Sequence, residues 1–433
     1  MTPIELGGLI IGLLLVLLVI GMPIAFALMA SGLVGVYMTR GGAGFDYVVA
    51  TFPYSYMANF AFVVVPLFML MSHMAFATGM SSKAFEAANK CANGMRGGLA
   101  TATVFACAVF STVSGSSIAT ASSIARVAIP EMRAAGYSNR LAAGCVAAGG
   151  TLGVLIPPSS ILVIYGLATG TSVVQLFVGA VIPGVLTAVA YVAGIYIMAR
   201  LNPMSVGGVR TAVRVPLAEK AKSLLMTWEA MALFALVVGS IYLGLATPNE
   251  AAGLGALGAL MMAVFRPGRF KIIWRGLRES GSVTCAVFAL IVGAGLFSMA
   301  LTTSRLPTEI ALMVSGFDLP VFVLMLLLLV PFLVLGAFID GISMILLTMP
   351  IVFPIVEHLG VHPVVFGILV VKTVEIGLIT PPVGLNAFVV KGSIPDLRLK
   401  DVFIGCIPFV IIELLLIVVL LMFPEIILWP LEG

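Results

Sequence analysis

The chain is a succession of long apolar runs separated by short polar or Gly/Pro-rich pieces, and this excludes most folds at once. Ile4–Ile20, Phe60–Ala77, Leu176–Ala199, Ala230–Ala246, Val283–Leu301, Val321–Ile339 and Val402–Phe423 each run for 17 to 24 residues. Only 9% of the 433 residues are charged and 61% are hydrophobic, where a soluble domain carries about 25% charged residues. No water-facing surface can be assembled from so few charges, so lipid must cover much of the chain. At roughly 20 apolar residues per crossing, the length allows about ten spans. Spans must be helices or closed barrels, because unpaired backbone groups are costly in hydrocarbon. The runs lack the alternation of barrel strands, and the expectation is an all-α polytopic membrane protein.

The start of the chain has Glu5 and no Lys or Arg before the first apolar run, so the run reads as an uncleaved first helix and not as a signal peptide. The five cysteines, Cys91, Cys107, Cys145, Cys285 and Cys406, have no zinc or disulfide spacing and read as small buried hydrophobes.

Several runs are too short to cross. Gly97–Ser111 has 15 residues, about 22 Å of helix against about 30 Å of hydrocarbon. It is followed by the polar Thr112–Ser117 (TVSGSS) and a second short run, which predicts a re-entrant helical hairpin. Phe332–Ile355, with its tip at Asp340–Ser343, predicts another. Two further runs are interrupted by IPPSS (Ile156–Ser160) and TPPVG (Thr380–Gly384). Proline lacks an N–H and clashes with the preceding turn, so both helices should break there.

These features recur in order. Pro130, Gly136, Gly153, Pro157 and Pro158 match Pro354, Gly360, Gly377, Pro381 and Pro382, each pair 224 residues apart. Retained backbone punctuation with drifted side chains is the mark of a structural repeat. The predicted organisation is a first repeat over 1–200 (hairpin about 97–130, broken helix about 139–170) and a cytoplasmic linker over 201–226. A second repeat follows over 227–433 (hairpin about 321–357, broken helix about 363–391). With the N-terminus outside, 18 of the 22 basic residues fall on the inner side. They are Lys83, Lys90, Arg96, Arg133, Arg140, Arg200, Arg210, Arg214, Lys220, Lys222, Arg266, Arg269, Lys271, Arg275, Arg278, Lys391, Arg398 and Lys400. Arg40 and Arg305 fall outside, and Arg126 and Lys372 at membrane depth. The positive-inside rule favours this orientation, which makes the repeats inverted. Ser81–Arg96, Arg266–Glu279 and Leu306–Asp318 are amphipathic and read as segments lying along the membrane surface, or as ordinary connectors with snorkelling cations.

Inverted repeats with broken helices are the secondary-transporter pattern, with the site near the midplane. Breaks free carbonyls for a cation, and half-helix N-termini offer N–H groups to an anion. Four breaks should converge: Ser114–Ser117, Gly153–Ser160, Asp340–Ser343 and Gly377–Gly384. Such oxygen-rich, weakly charged sites suit Na⁺. Asp340 reads either as a site carboxylate or as an N-cap, and the two roles are compatible. Lys372 and Glu375, three apart, read as a local ion pair; Glu413 has no evident partner. Arg126 reads either as a counter-charge for an anionic substrate or, preferably, as a donor to hairpin carbonyls. His73, His358 and His362 fall near span ends. No zinc motif, P-loop or dinucleotide fingerprint occurs, and the tip serines have no evident His partner, so an enzyme is disfavoured.

Taken together, SGSSIATASSIARVAIPEM, AAGYSNRLAAGCVAAGGTLGVLIPPSSILVIYG, LATPNEAAGLGAL, FIDGISMILLTMPIVFPI and VEIGLITPPVGLNAFVVKG resemble the large membrane subunit of TRAP (tripartite ATP-independent periplasmic) transporters over almost the whole chain. The resemblance implies an elevator-type, Na⁺-coupled importer, expected in a bacterial or archaeal inner membrane, with both termini periplasmic in the orientation that the charges favour. A periplasmic binding protein would deliver a small organic anion, usually a carboxylate. A small membrane subunit of about four helices would complete it. Neither an organic cofactor nor a nucleic-acid partner is expected. Carried onto this chain, Ser114, Gly115, Ser117, Gly153, Ile156 and Pro157 would form one Na⁺ site, and Asp340, Gly341, Gly377, Thr380 and Pro381 a second. The substrate carboxylate would lie near Ser116, Ser160, Asp340 and Asn386. The alternatives are a hairpin-type symporter without a binding protein, H⁺-coupled or not, and an intramembrane enzyme.

Overall fold

Several helices start where a small polar side chain caps them, and several stop at a left-handed glycine. The computed structural model describes residues 2–92, 94–206, 216–316 and 319–431. Among these the only β-type pairing is an isolated bridge between Tyr137 and Val206. Arg210 and Arg214, part of the 201–226 linker, and Asp318 lie outside the described residues.

Helix α1 (Pro3–Val19) opens with a capping box between Thr2 and Glu5, which satisfies two first-turn donors. Helix α2 (Ile24–Met57) continues well beyond the apolar run Ile24–Tyr37 and bends at Gly41, whose φ of 69° suits glycine. Next come α3 (Val64–Ala77) and α4 (Met80–Ala92), then the short pair α5 (Gly98–Ser114) and α6 (Ser117–Ala134). A bent pair follows, α7 (Asn139–Leu155) and α8 (Ser160–Thr169), at 43° to each other. Helix α9 (Val173–Leu201) leads to the segments α10 (Leu217–Leu224), α11 (Trp228–Phe234) and α12 (Ser240–Tyr242), and to α13 (Pro248–Val264). After α14 (Arg269–Ser304) and α15 (Leu306–Ser315), a second short pair is formed by α16 (Val321–Gly336) and α17 (Gly341–His358). It precedes α18 (Pro363–Leu378), α19 (Leu385–Ser393), α20 (Leu399–Met422) and α21 (Glu425–Leu428). The starts of α6 and α17, and of α7 and α18, are each 224 residues apart.

Among the described residues, seven helices are long and apolar enough to cross a bilayer, or eight if α7 and α8 count as one bent span. Three further apolar helices, α1, α5 and α16, have 16 or 17 residues and reach about 24–26 Å. One expectation is corrected at α14. The stretch Arg266–Glu279 is not a separate surface arm, because from Arg269 it is the first part of a continuous 36-residue helix that includes Val283–Leu301. No proline interrupts it, and Ser280 returns its hydroxyl proton to the Gly276 carbonyl (2.7 Å). At about 1.5 Å per residue the helix spans about 54 Å, so its basic end projects beyond an apolar layer of about 30 Å.

Two helices are enclosed on all sides. Every residue of α7 from Leu141 to Leu155 is buried, as is every residue of α18 from Val364 to Leu378. A helix apolar all round belongs inside a protein, which describes α7, whereas α18 takes Lys372 and Glu375 inside with it. Helix α7 lies among α5, α6 and α20, and α18 lies along α16. Elsewhere α2 packs along α14 and α13 along α3. Arg133–Asp396 (2.6 Å) and Arg140–Asp401 (3.1 Å) tie the first half of the chain to the second.

Candidate functional site

The first turn is built by a left-handed glycine between two helix ends. Gly115 (φ 56°) terminates α5, and Ser116 caps α6 by accepting from the Ala119 N–H (3.4 Å). The Ser114 hydroxyl donates to the Ser116 carbonyl (3.1 Å) and lies 2.6 Å from the Thr120 hydroxyl. Thr120 also donates to the Ser116 carbonyl (2.9 Å). From α3, Ser72 donates to the carbonyls of Val113 and Ser114. Ser114 and Ser117 are buried, Ser116 half-buried.

The first interruption lies against this turn. Pro157 and Pro158 supply no N–H to the carbonyls of Gly153 and Val154 four residues back, and the chain leaves the helix at Ile156 (ψ 120°). Ser159 recaps α8 by accepting from Leu162 N–H (3.2 Å). The Ser160 N–H donates to the Gly115 carbonyl (3.3 Å). Gly153 permits the approach: a Cβ there would stand 2.7 Å from both the Ser116 carbonyl oxygen and the Thr120 hydroxyl.

The second turn has the same construction with different groups. Asp340 caps α17, its Oδ1 accepting from the N–H groups of Ile342 and Ser343 (3.1 Å each). The Gly384 N–H donates to the Ala337 carbonyl (3.0 Å), as Ser160 does to Gly115. A Cβ at Gly377 would come within 2.6 Å of Gly336 Cα. Thr380 returns its hydroxyl to the Ile376 carbonyl (2.6 Å). Pro157 and Pro158 are buried, whereas Pro381 and Pro382 are exposed; both X-Pro bonds, Pro157–Pro158 and Pro381–Pro382, are cis.

The two halves cross at this point. A Cβ at Gly341, in the second turn, would meet Ile161 Cγ1 of α8 at 3.5 Å and Val374 Cγ1 of α18 at 3.1 Å. In the other direction the Ser117 hydroxyl lies beside the Glu375 carboxyl of α18. Asn386 is fully buried on α19, which packs on α6, and neither atom of its amide has a hydrogen-bond partner. Ser160 sits by the first turn, and no hydrogen bond joins it, Ser116 or Asn386 to Asp340 among the described residues.

The ionisable residues depart from the sequence reading. Lys372 does not pair with Glu375. Its Nζ is 2.5 Å from Glu413 Oε2 and 2.8 Å from Thr187 Oγ1, so Glu413 has its partner. Tyr191 donates to Glu413 Oε1 (2.6 Å). Spacing along one helix could not reveal a cation directed at another helix. Arg126 is exposed on α6, and among the described residues no hydrogen bond joins its side chain to the turn carbonyls. His362 accepts from the Val364 N–H (3.2 Å) as the cap of α18. Sequence reasoning also missed Ser72 and Thr120. The only available signals were a serine inside an apolar run and a hydroxyl four residues after Ser116.

Interrupted, glycine-lined helices meeting around buried polar groups inside a polytopic bundle define a membrane permease. Residues 11–426 match the family described as "Tripartite ATP-independent periplasmic transporter, DctM component", and the chain belongs to that family of TRAP transporter large subunits. It is 36% identical over 370 residues to the C4-dicarboxylate TRAP transporter large permease protein DctM of Pseudomonas aeruginosa, covering 85% of each chain. It is 33% identical over 381 residues to the isethionate TRAP transporter permease protein DctMQ of Oleidesulfovibrio alaskensis, covering 87% of this chain and 58% of that longer protein. The crystal structure of the YdaH transporter of Alcanivorax borkumensis shares the fold, with a TM-score of 0.66 over 92% of this chain and 95% of that one, at 17% identity.

Proposed function

We propose that this chain imports a small organic acid anion, coupled to Na⁺, by an elevator movement of the two short pairs and the two interrupted helices against the remaining helices. The reading places it in a bacterial or archaeal inner membrane with both termini periplasmic. The two short pairs act as re-entrant hairpins of inverted repeats. The observation that carries the reading is the paired construction. Each turn carbonyl (Gly115, Ala337) accepts an N–H from beyond the neighbouring double proline (Ser160, Gly384), which gathers carbonyls and hydroxyls in two places. Ser114, Gly115, Ser117, Gly153, Ile156 and Pro157 would serve the first Na⁺. Asp340, Gly341, Gly377, Thr380 and Pro381 would serve the second. Between them Ser116, Ser160, Asp340 and Asn386 would face the substrate. The unpartnered buried amide of Asn386 supports this assignment, since such a group is costly unless a ligand completes it.

The names of the relatives, for a C4-dicarboxylate and for isethionate, support a small anionic cargo. A periplasmic binding protein and a small membrane subunit of about four helices complete the system in this reading. Coupling requires that the movable elements close only when Na⁺ and anion are both bound, a difference in affinity between two states.

The test is thermal unfolding of the purified chain with Na⁺ exchanged for K⁺ at constant ionic strength. A ligand bound only by the folded state stabilises it by about 2.7 kcal/mol at a hundred times its Kd. Asp340→Asn keeps a capping oxygen but loses the charge. It is expected to leave the melting point in K⁺ unchanged and to reduce the Na⁺ increment and uptake. A wild-type chain that responds equally to Na⁺ and K⁺ would overturn Na⁺ coupling.

A further inference from the structure

One face of α14 changes along its length from charged to apolar. Lys271, Trp274, Arg278, Gly281, Cys285, Ala289, Val292 and Leu296 recur at spacings of three or four, which sets them in one row along the helix. Beside the later part of this row lies a groove of about 670 Å³ between α14 and α2. Met29 and Leu33 line it before the bend at Gly41, Met57 after the bend, and Cys285 and Ala289 from α14. The Thr284 hydroxyl is the single oxygen among its side chains. From Thr284 to Leu296 the groove follows about 18 Å of helix, close to the roughly 15 Å of hydrocarbon in one leaflet. Met57 and Cys285 are exposed, so the groove opens to whatever surrounds the bundle.

The foot of the same face is cationic and unanswered. Lys271 and Arg278 are exposed, and among the described residues neither has an ion-pair partner. The neighbouring charges satisfy each other. Arg275 pairs with Glu279 (2.7 Å) and lies over the Phe76 ring, 5.9 Å from its centroid, and His73 also faces Glu279 (3.4 Å). Trp274, exposed between the two cations, is a residue type that settles at the boundary of headgroups and hydrocarbon. Gly281, with nothing within 4 Å of a would-be Cβ, leaves the way clear from Arg278 to the groove. An apolar channel about one leaflet deep, with two free cations at its polar end, matches a ligand that joins an acyl chain to a phosphate. An apolar helix of another protein would fill the channel and leave both cations without a counter-charge.

We propose that this face of α14, with α2, holds one anionic phospholipid, an acyl chain in the groove and the phosphate on Arg278 and Lys271. A net negative headgroup is preferred, because each Lys or Arg near a membrane surface favours anionic over neutral lipid. The seated chain completes the packing of both arms of α2 on α14, which their own side chains leave open. No residue of either turn takes part, so the inference is independent of the transport reading above.

The experiment uses the purified full chain, stripped of lipid in a neutral detergent. It is given dioleoyl phosphatidylglycerol, dioleoyl phosphatidylcholine or inorganic phosphate, and alkylation of Cys285 by N-ethylmaleimide is followed on its own peptide by mass spectrometry. Phosphatidylglycerol is expected to protect Cys285 at about a tenth of the concentration that phosphatidylcholine needs, a preference of the size two surface cations supply, and phosphate should not protect. Lys271→Gln combined with Arg278→Gln should bring the two lipids level. Ala289→Phe, which fills the groove, should remove the protection by both. If the groove variant does not fold, the charge variant, altered only on an exposed face, decides alone. Equal protection by the two lipids in the wild-type chain, or a preference that survives in the charge variant, overturns the proposal. Protection by phosphate alone overturns it too, as does no protection by either lipid, which would leave the groove to a protein partner.

Discussion

At the scale of single residues, Lys372 and Glu413 carry the largest consequence for stability. Both are buried, and each is the other's neutralising charge at 2.5 Å. Removing one partner strands the other without water, at a cost of about 3–5 kcal/mol, whereas replacing both with apolar groups of similar volume is often neutral. Lys372→Met is therefore expected to destabilise the chain strongly. Lys372→Met combined with Glu413→Leu should recover most of the loss, as read by denaturant unfolding in detergent through a double-mutant cycle. Strictly additive single effects would show that the pair is not energetically coupled. Asp340 behaves differently, because its Oδ1 already serves two backbone donors. Its capping and its charge are separable by Asn.

Between elements, the decisive contacts are backbone on backbone. Gly153 faces the Ser116 carbonyl and Gly377 faces Gly336, each with less than 3 Å for a Cβ. Alanine at either position must push an interrupted helix away from its turn. Overpacking of this kind costs about 1–3 kcal/mol, and here it also opens the carbonyl cluster. Gly153→Ala and Gly377→Ala are expected to lower the melting point and to lose Na⁺-dependent uptake together. Gly8 of α1, with nothing within 4 Å of its would-be Cβ, is the control: Gly8→Ala should be neutral or stabilising by about 0.5–1 kcal/mol. A Gly153→Ala chain with wild-type melting and uptake would mean that the contact is dispensable.

Across the whole molecule, basic residues stand at the ends of three long helices, with Arg269 to Arg278 opening α14, Arg200 closing α9 and Lys400 opening α20. Glu229 holds both Lys83 (3.0 Å) and Arg266 (2.6 Å), joining three segments. Exposed Arg40 and Lys222 fall on opposite sides of the membrane in the proposed orientation. With exposed Cys285 replaced, Arg40→Cys should react in intact cells with a membrane-impermeant thiol reagent, and Lys222→Cys only after the cells are opened. The opposite labelling would invert the orientation and with it the direction assigned to each turn.

Read alone, the residues determined what covalent geometry and lipid enforce. Scarce charge required lipid-facing helices. Pro157, Pro158, Pro381 and Pro382 broke two helices because proline lacks a donor, and the breaks lie where the motifs put them. Capping was legible in part, since an aspartate before a helical run offers its oxygen to local N–H groups. Helix length was less legible: α14 runs without interruption through a polar stretch because polarity changes the solvent of a helix without breaking its hydrogen bonds. Long-range partners were not legible at all. Ser72 on the first turn, Ser117 beside Glu375, and Lys372 turned to Glu413 rather than to Glu375 all join residues distant in the chain. Local spacing sets which face of a helix a side chain occupies. Which other helix meets that face follows only from how the whole bundle packs.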